Sequence, residues 1–107
     1  MAVFNKLVRD KIPELIEQAG KKGTFRILGV EEFKKELMKK VAEEAKEFQG
    51  DSELEDTAYA IAEILETLYT LADCYQISQE DLDEKRKMRS NSRGSFAQRL
   101  FLMELDD

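Results

Sequence analysis

Two short acidic runs hold the residues best suited to chemistry. In Glu43-Glu44-Ala45-Lys46-Glu47 the carboxylates recur at i,i+3 and i,i+4, the spacings that bring side chains together on one side of a helix. Glu63 and Glu66 repeat the i,i+3 pairing, with Asp56, Tyr59, Thr70 and Asp73 on the same side. Carboxylates this close repel one another unless a cation shares them. Their hard oxygens suit Mg²⁺, with Mn²⁺ as the alternative. Glu44 is the sharper signal, because it lies seven residues after Leu37, three after Val41 and four before Phe48, inside an apolar stripe. A charge there is costly unless it is paired, protonated or bound to metal. A plainer answer also exists on the same helix, where Lys40 and Lys46 stand within reach to offset it.

Composition narrows the chemistry further. The chain has 107 residues, no histidine and one cysteine. It therefore has no Ser-His or Cys-His nucleophile and no Cys/His zinc site, and proton transfer or metal binding falls to carboxylates, lysine, tyrosine or water. Cys74 reads as a small buried apolar residue. The net charge of −6 is unevenly spread: residues 1–30 hold six bases against three acids, residues 31–84 five against seventeen, and residues 85–107 six against three. An acidic centre between basic flanks suits a metal site beside anion-binding groups, although unevenly charged solvated faces would give the same order. An acidic chain is a poor nucleic-acid binder. No apolar run is long enough for a membrane span and no leader-like segment opens the chain, so a cytoplasmic location is expected. Gly20-Lys21-Lys22-Gly23 lacks the length and the Ser/Thr of a P-loop. Asp81-Leu82-Asp83 lacks the Gly and Glu of an EF-hand. Arg93-Gly94-Ser95-Phe96 is either an anion cradle or a plain turn.

Helices must position these acids. Pro13 and Gly20 bracket a short helix over about 11–19, and Gly20 to Gly29 reads as a loop with at most one extended stretch. Val30, Phe33, Leu37, Val41, Ala45 and Phe48 recur at helical spacing, which predicts a long helix over 31–49 ending near Gly50. Ser52 and Glu55 fit a capping box. The run Leu54, Ala58, Ile61, Leu65, Leu68, Ala72, Tyr75 alternates steps of four and three, which predicts a second long helix over 53–75 whose apolar stripe faces the core and whose Glu63 side lies opposite. Ser78 fits an N-cap, with Ile77 placed to pack on Leu82. The stretch Ser90 to Ser95 is a loop by composition, and Phe96 to Leu105 is apolar enough to fold back on the bundle. The fold expected is all-α: one domain, a helical bundle with two long antiparallel helices carrying paired carboxylates.

The chain resembles the all-α nucleoside triphosphate pyrophosphohydrolases, in the MazG-like, phosphoribosyl-ATP pyrophosphohydrolase-like branch. The resemblance is carried by Asn5-Lys6-Leu7-Val8-Arg9-Asp10-Lys11-Ile12-Pro13, Glu43 to Phe48, Glu63 to Glu66, and Arg93-Gly94-Ser95-Phe96 with Arg99. It implies Mg²⁺ held by carboxylates of two helices, cleavage between the α and β phosphates of a nucleotide, and assembly as a homodimer or homotetramer. By matching motif it implies Glu43, Glu44 and Glu47 as catalytic groups and Glu44, Glu47, Glu63 and Glu66 as metal ligands. Asn5, Lys6, Arg9, Lys11, Lys87 and Arg93 are implied as substrate-binding residues. One departure stands out. Where the second acidic motif of the family runs Glu-x-x-Asp, aligning its Asp with Glu63 puts Ala60 in the Glu position. The opposing expectation is a non-catalytic or weakly active helical module that binds nucleotides or regulates.

Overall fold

The structure is a computed structural model that describes residues 2–48 and 53–106. Among the described residues there are four helices and no strand: α1 (Ile12–Gln18), α2 (Val30–Glu47), α3 (Leu54–Cys74) and α4 (Gln79–Arg93). The all-α expectation holds, and among the described residues no helix is long and apolar enough to cross a membrane. The chain divides into two compact units, Met1–Gln76 and Ile77–Asp107.

In the first unit, Pro13 opens α1, where its missing N–H costs nothing. Gly20, at φ +77°, closes it: the Gly20 N–H reaches the Glu17 carbonyl and the Lys21 N–H reaches the Ile16 carbonyl. This 5→2 and 6→1 pairing satisfies the last carbonyls and needs a left-handed residue, which glycine supplies without a side-chain clash. Residues 21–29 form no regular element. The predicted Gly50 stop and the Ser52 half of the capping box lie outside the described residues.

α2 and α3 make the main helix–helix contact of this unit. They run antiparallel: Lys34, near the start of α2, places its ammonium 4.4 Å from the ring centre of Tyr75 at the end of α3, whereas Glu44 meets Thr67 further along. The α2 face in this contact is the predicted one over its middle, with Leu37 buried at 4% exposure and Phe33, Val41, Glu44 and Phe48 half-buried, whereas Val30 and Ala45 of the predicted stripe are exposed.

The α3 face is not the predicted one. Thr57, Ala60, Glu63, Ile64, Thr67, Tyr69, Thr70, Leu71, Ala72 and Cys74 are the buried or half-buried residues, and Thr67 is the most enclosed at 5%. Leu54, Ile61, Leu65, Leu68 and Tyr75 are exposed, and of the expected stripe Ala72 alone is buried. The reason lies in the composition of the helix. α3 has apolar residues on nearly its whole circumference and no base at all, so periodicity identifies a helix without deciding which side meets α2.

In the second unit the Ser78 hydroxyl accepts the Asp81 N–H and caps α4, as predicted. α4 runs on through Ser90-Asn91-Ser92 to Arg93, where a loop was expected. Helical continuation from Asp81 onward outweighs the weak local preference of Ser and Asn for turns. Phe96 and residues 100–105 form no helix, and their apolar side chains are exposed.

Candidate functional site

The centre of the α2–α3 contact is polar. The Thr67 hydroxyl donates to Glu44 Oε1 at 2.9 Å and lies 3.0 Å from the Glu63 carbonyl one turn back on its own helix. The Glu44 carboxylate is 15% exposed, and the Lys40 ammonium stands 4.0 Å from its other oxygen. Glu63, on the same α3 face, receives the Arg9 guanidinium at 2.5 Å. One hydroxyl thus stands between an inward acid of α2 and the turn of α3 that carries a second acid. Each acid has a basic neighbour. An inward carboxylate with a hydroxyl donor and an ammonium satisfies the rule that buried charge must be compensated.

The other acids singled out by sequence do not join this centre. Glu43, Glu47 and Glu66 are exposed. Among the described residues no group of three or more acid or thiol side chains is gathered closely enough to hold a metal ion. Mg²⁺ keeps several waters and takes one or two protein carboxylates together with substrate phosphates, so an ion held by Glu44 and Glu63 would need its remaining ligands from water and substrate. Ala60 is half-buried on the same α3 face as Glu63 and Thr67, which is where an additional carboxylate would stand.

Of the basic residues singled out by sequence, Arg9 reaches Glu63. Lys11 is exposed in the turn before α1, and Lys6 is exposed with its ammonium 5.5 Å from the ring centre of Phe4. Lys87 and Arg93 belong to the second unit, where Lys87 pairs with Asp83 at 3.2 Å. Hydrogen bonds from Arg86 and then Lys87 hold the Asp83 carboxyl below its usual range. Cys74 is half-buried.

Sequence reasoning missed two features. Thr67 is one; its signal was a polar residue set one turn after Glu63 between Ile64 and Leu71. The other is a cavity of about 480 Å³ bordered by residues 5–8, Asp10, residues 24–28 and the first turns of α2. Arg26 forks onto Glu32 there at 2.6 and 3.1 Å, and the hydrogen bonds from Arg26 hold the Glu32 carboxyl below the ordinary glutamate range. Asn5 and Lys6, both singled out by the sequence, line it.

No protein-family model, curated protein or solved structure matches the chain.

Proposed function

We propose that this protein is a Mg²⁺-dependent nucleotide pyrophosphohydrolase. It would cleave the α–β phosphoanhydride of a nucleoside triphosphate or a phosphoribosyl-ATP-like substrate to a monophosphate and pyrophosphate. The observation that carries the reading is Glu44, a carboxylate turned into a helix–helix contact opposite a second acidic helix. When bound, Mg²⁺ neutralises phosphate oxygens and lowers the pKa of an attacking water. Glu44 and Glu63 would hold it. Thr67 orients Glu44 through its hydroxyl, so the carboxylate keeps one oxygen tied and one turned toward Lys40. Arg9 pairs with Glu63, so a phosphate chain arriving at this acid would meet the guanidinium first. With no histidine in the chain, this carboxylate and guanidinium chemistry is the kind the residues supply.

The assembly in this reading is a homo-oligomer, a dimer or a tetramer. Leu54, Ala58, Ile61, Leu65, Leu68, Ala72 and Tyr75 follow a heptad rhythm across three repeats, and all but Ala72 are exposed. Ala62 and Tyr69, which flank the seam, carry no charge to oppose an identical neighbour. A helix that is apolar on both sides belongs in an interior, and a second copy of α3 has the matching rhythm.

A second reading is a non-catalytic nucleotide-binding module, favoured by Ala60 in the family's Glu position and by the basic partners that Glu44 and Glu63 already have. One experiment separates the two. Nucleoside triphosphates and phosphoribosyl-ATP are incubated with Mg²⁺ and wild-type protein or Glu44→Gln, and pyrophosphate and phosphate are measured separately. Pyrophosphate release that falls at least a hundredfold in Glu44→Gln, with an unchanged helical circular dichroism spectrum, is the expected result. Undiminished release in the variant, or phosphate in place of pyrophosphate, overturns the assignment. Nucleotide binding with no turnover in the wild type selects the second reading.

A further inference from the structure

We infer that the cavity beside the N-terminal segment takes an amino-bearing nucleobase. The inference rests on the nucleotide reading above and extends it to the opposite end of the substrate. Of residues 5–10, Arg9 alone is outside the lining, and it is the one that reaches Glu63. A single short stretch of backbone therefore serves both the acidic centre and the cavity, an arrangement that suits one ligand with two chemically different ends.

The cavity is a poor place for the phosphates. Arg26 is occupied by its fork onto Glu32, and the other charged lining residues are Asp10, Glu36 and Lys6, whose ammonium lies over the Phe4 ring. Two carboxylates against one ammonium repel a polyanion and favour a neutral group that donates hydrogen bonds. Phe25 and Phe33 supply apolar aromatic surface on the same wall. The Phe25 ring is seated over Gly23, where an added β-carbon would come within 2.8 Å of it. Asn5 sits at φ +45°, a left-handed conformation that Asn tolerates better than most residues, and its side-chain amide offers both a donor and an acceptor. A planar ring that stacks on aromatics, presents an amino group to carboxylates and satisfies an amide describes adenine or cytosine better than hypoxanthine or uracil. The volume of about 480 Å³ leaves room for the attached sugar.

The test uses the full chain and nucleosides, which carry no phosphate and cannot be hydrolysed. Adenosine, inosine, cytidine and uridine are each titrated to on the order of 10 mM and followed by NMR. Adenosine and cytidine should shift the signals of Asn5, Phe25 and Phe33 and bind about tenfold tighter than inosine and uridine, one hydrogen bond's worth. Phe25→Ala should weaken all four about tenfold while leaving the affinity for Mg²⁺-tripolyphosphate unchanged. Glu36→Gln should erase the preference for amino bases. Binding with no shift at these residues, equal affinity for adenosine and inosine, or no binding at the highest concentration overturns the inference, provided circular dichroism shows the variants folded. A failed hydrolysis test with Glu44→Gln removes the phosphate chemistry and leaves this result standing. A failure here leaves the phosphate chemistry untouched.

Discussion

The two long sides of α3 have opposite fates. The side that meets α2 is mixed in character, with Thr67 and Glu63 beside Ile64 and Leu71, and it is where the most enclosed polar residue of the molecule lies. The other side is an apolar seam that is exposed from Leu54 to Leu68, while Ala72 is buried and Tyr75 meets Lys34 of α2. Burial of apolar area alone would choose the reverse arrangement. The polar side turns inward because α2 presents Glu44 there, and an inward carboxylate needs a donor that Leu65 or Leu68 cannot give. The seam from Leu54 to Leu68 is left exposed.

The largest expected effect comes from breaking the seam. Replacing Ile61, Leu65 and Leu68 together by Gln, a good helix former, should dissociate the assembly and remove about 5 kcal/mol of stability, since a fully buried aliphatic side chain is worth about 1.5–3 kcal/mol. Sedimentation and urea unfolding at two protein concentrations read both quantities. If sedimentation is unchanged and the unfolding midpoint barely moves, the outward side is merely solvated. Next in size is Leu37→Ala, which removes the most buried aliphatic side chain of the α2 face. A loss of about 3 kcal/mol with unaltered sedimentation is expected, and a change in oligomeric state would show that the two sides are not independent. The smallest effect belongs to Thr67→Val, which keeps the shape and deletes the donor. It should cost about 1–2 kcal/mol, most of which disappears when Glu44 is also made Leu, because no carboxylate then lacks its hydrogen bond. A double-mutant cycle by urea unfolding measures that coupling; strict additivity would break the explanation given for the inward polar side.

Helix positions were legible because apolar periodicity and caps act over a few residues. α2 begins one residue before the expected Glu31, and α3 lies within one residue of its expected ends. Glu44 was legible as a charge within a stripe, and it is indeed enclosed. Orientation was not legible for α3, whose apolar residues occupy nearly every side, so the stripe Leu54 to Tyr75 was assigned to the wrong neighbour. The Arg9–Glu63 pair was out of reach for a different reason. Its members are 54 residues apart, and no local spacing joins them. The cavity was half visible: Asn5 and Lys6 were singled out, whereas Phe25 and the Arg26–Glu32 fork belong to a glycine-rich stretch that offers no periodicity to read.

That long separation also sets an order of assembly. Glu44 and Thr67 are 23 residues apart, so the α2–α3 hairpin closes a short loop and forms early. Closing the 54-residue loop between Arg9 and Glu63 costs about 0.8 kcal/mol more in chain entropy. The exposed ion pair that fastens it returns about 0–1 kcal/mol. The N-terminal segment is thus the last part of this unit to dock and the first to lift away, and amide hydrogen exchange there should run faster than in α2 and α3. Any molecule that touches both Arg9 and the neighbouring cavity would find its binding surface opening and closing on a shorter timescale than the hairpin beneath it.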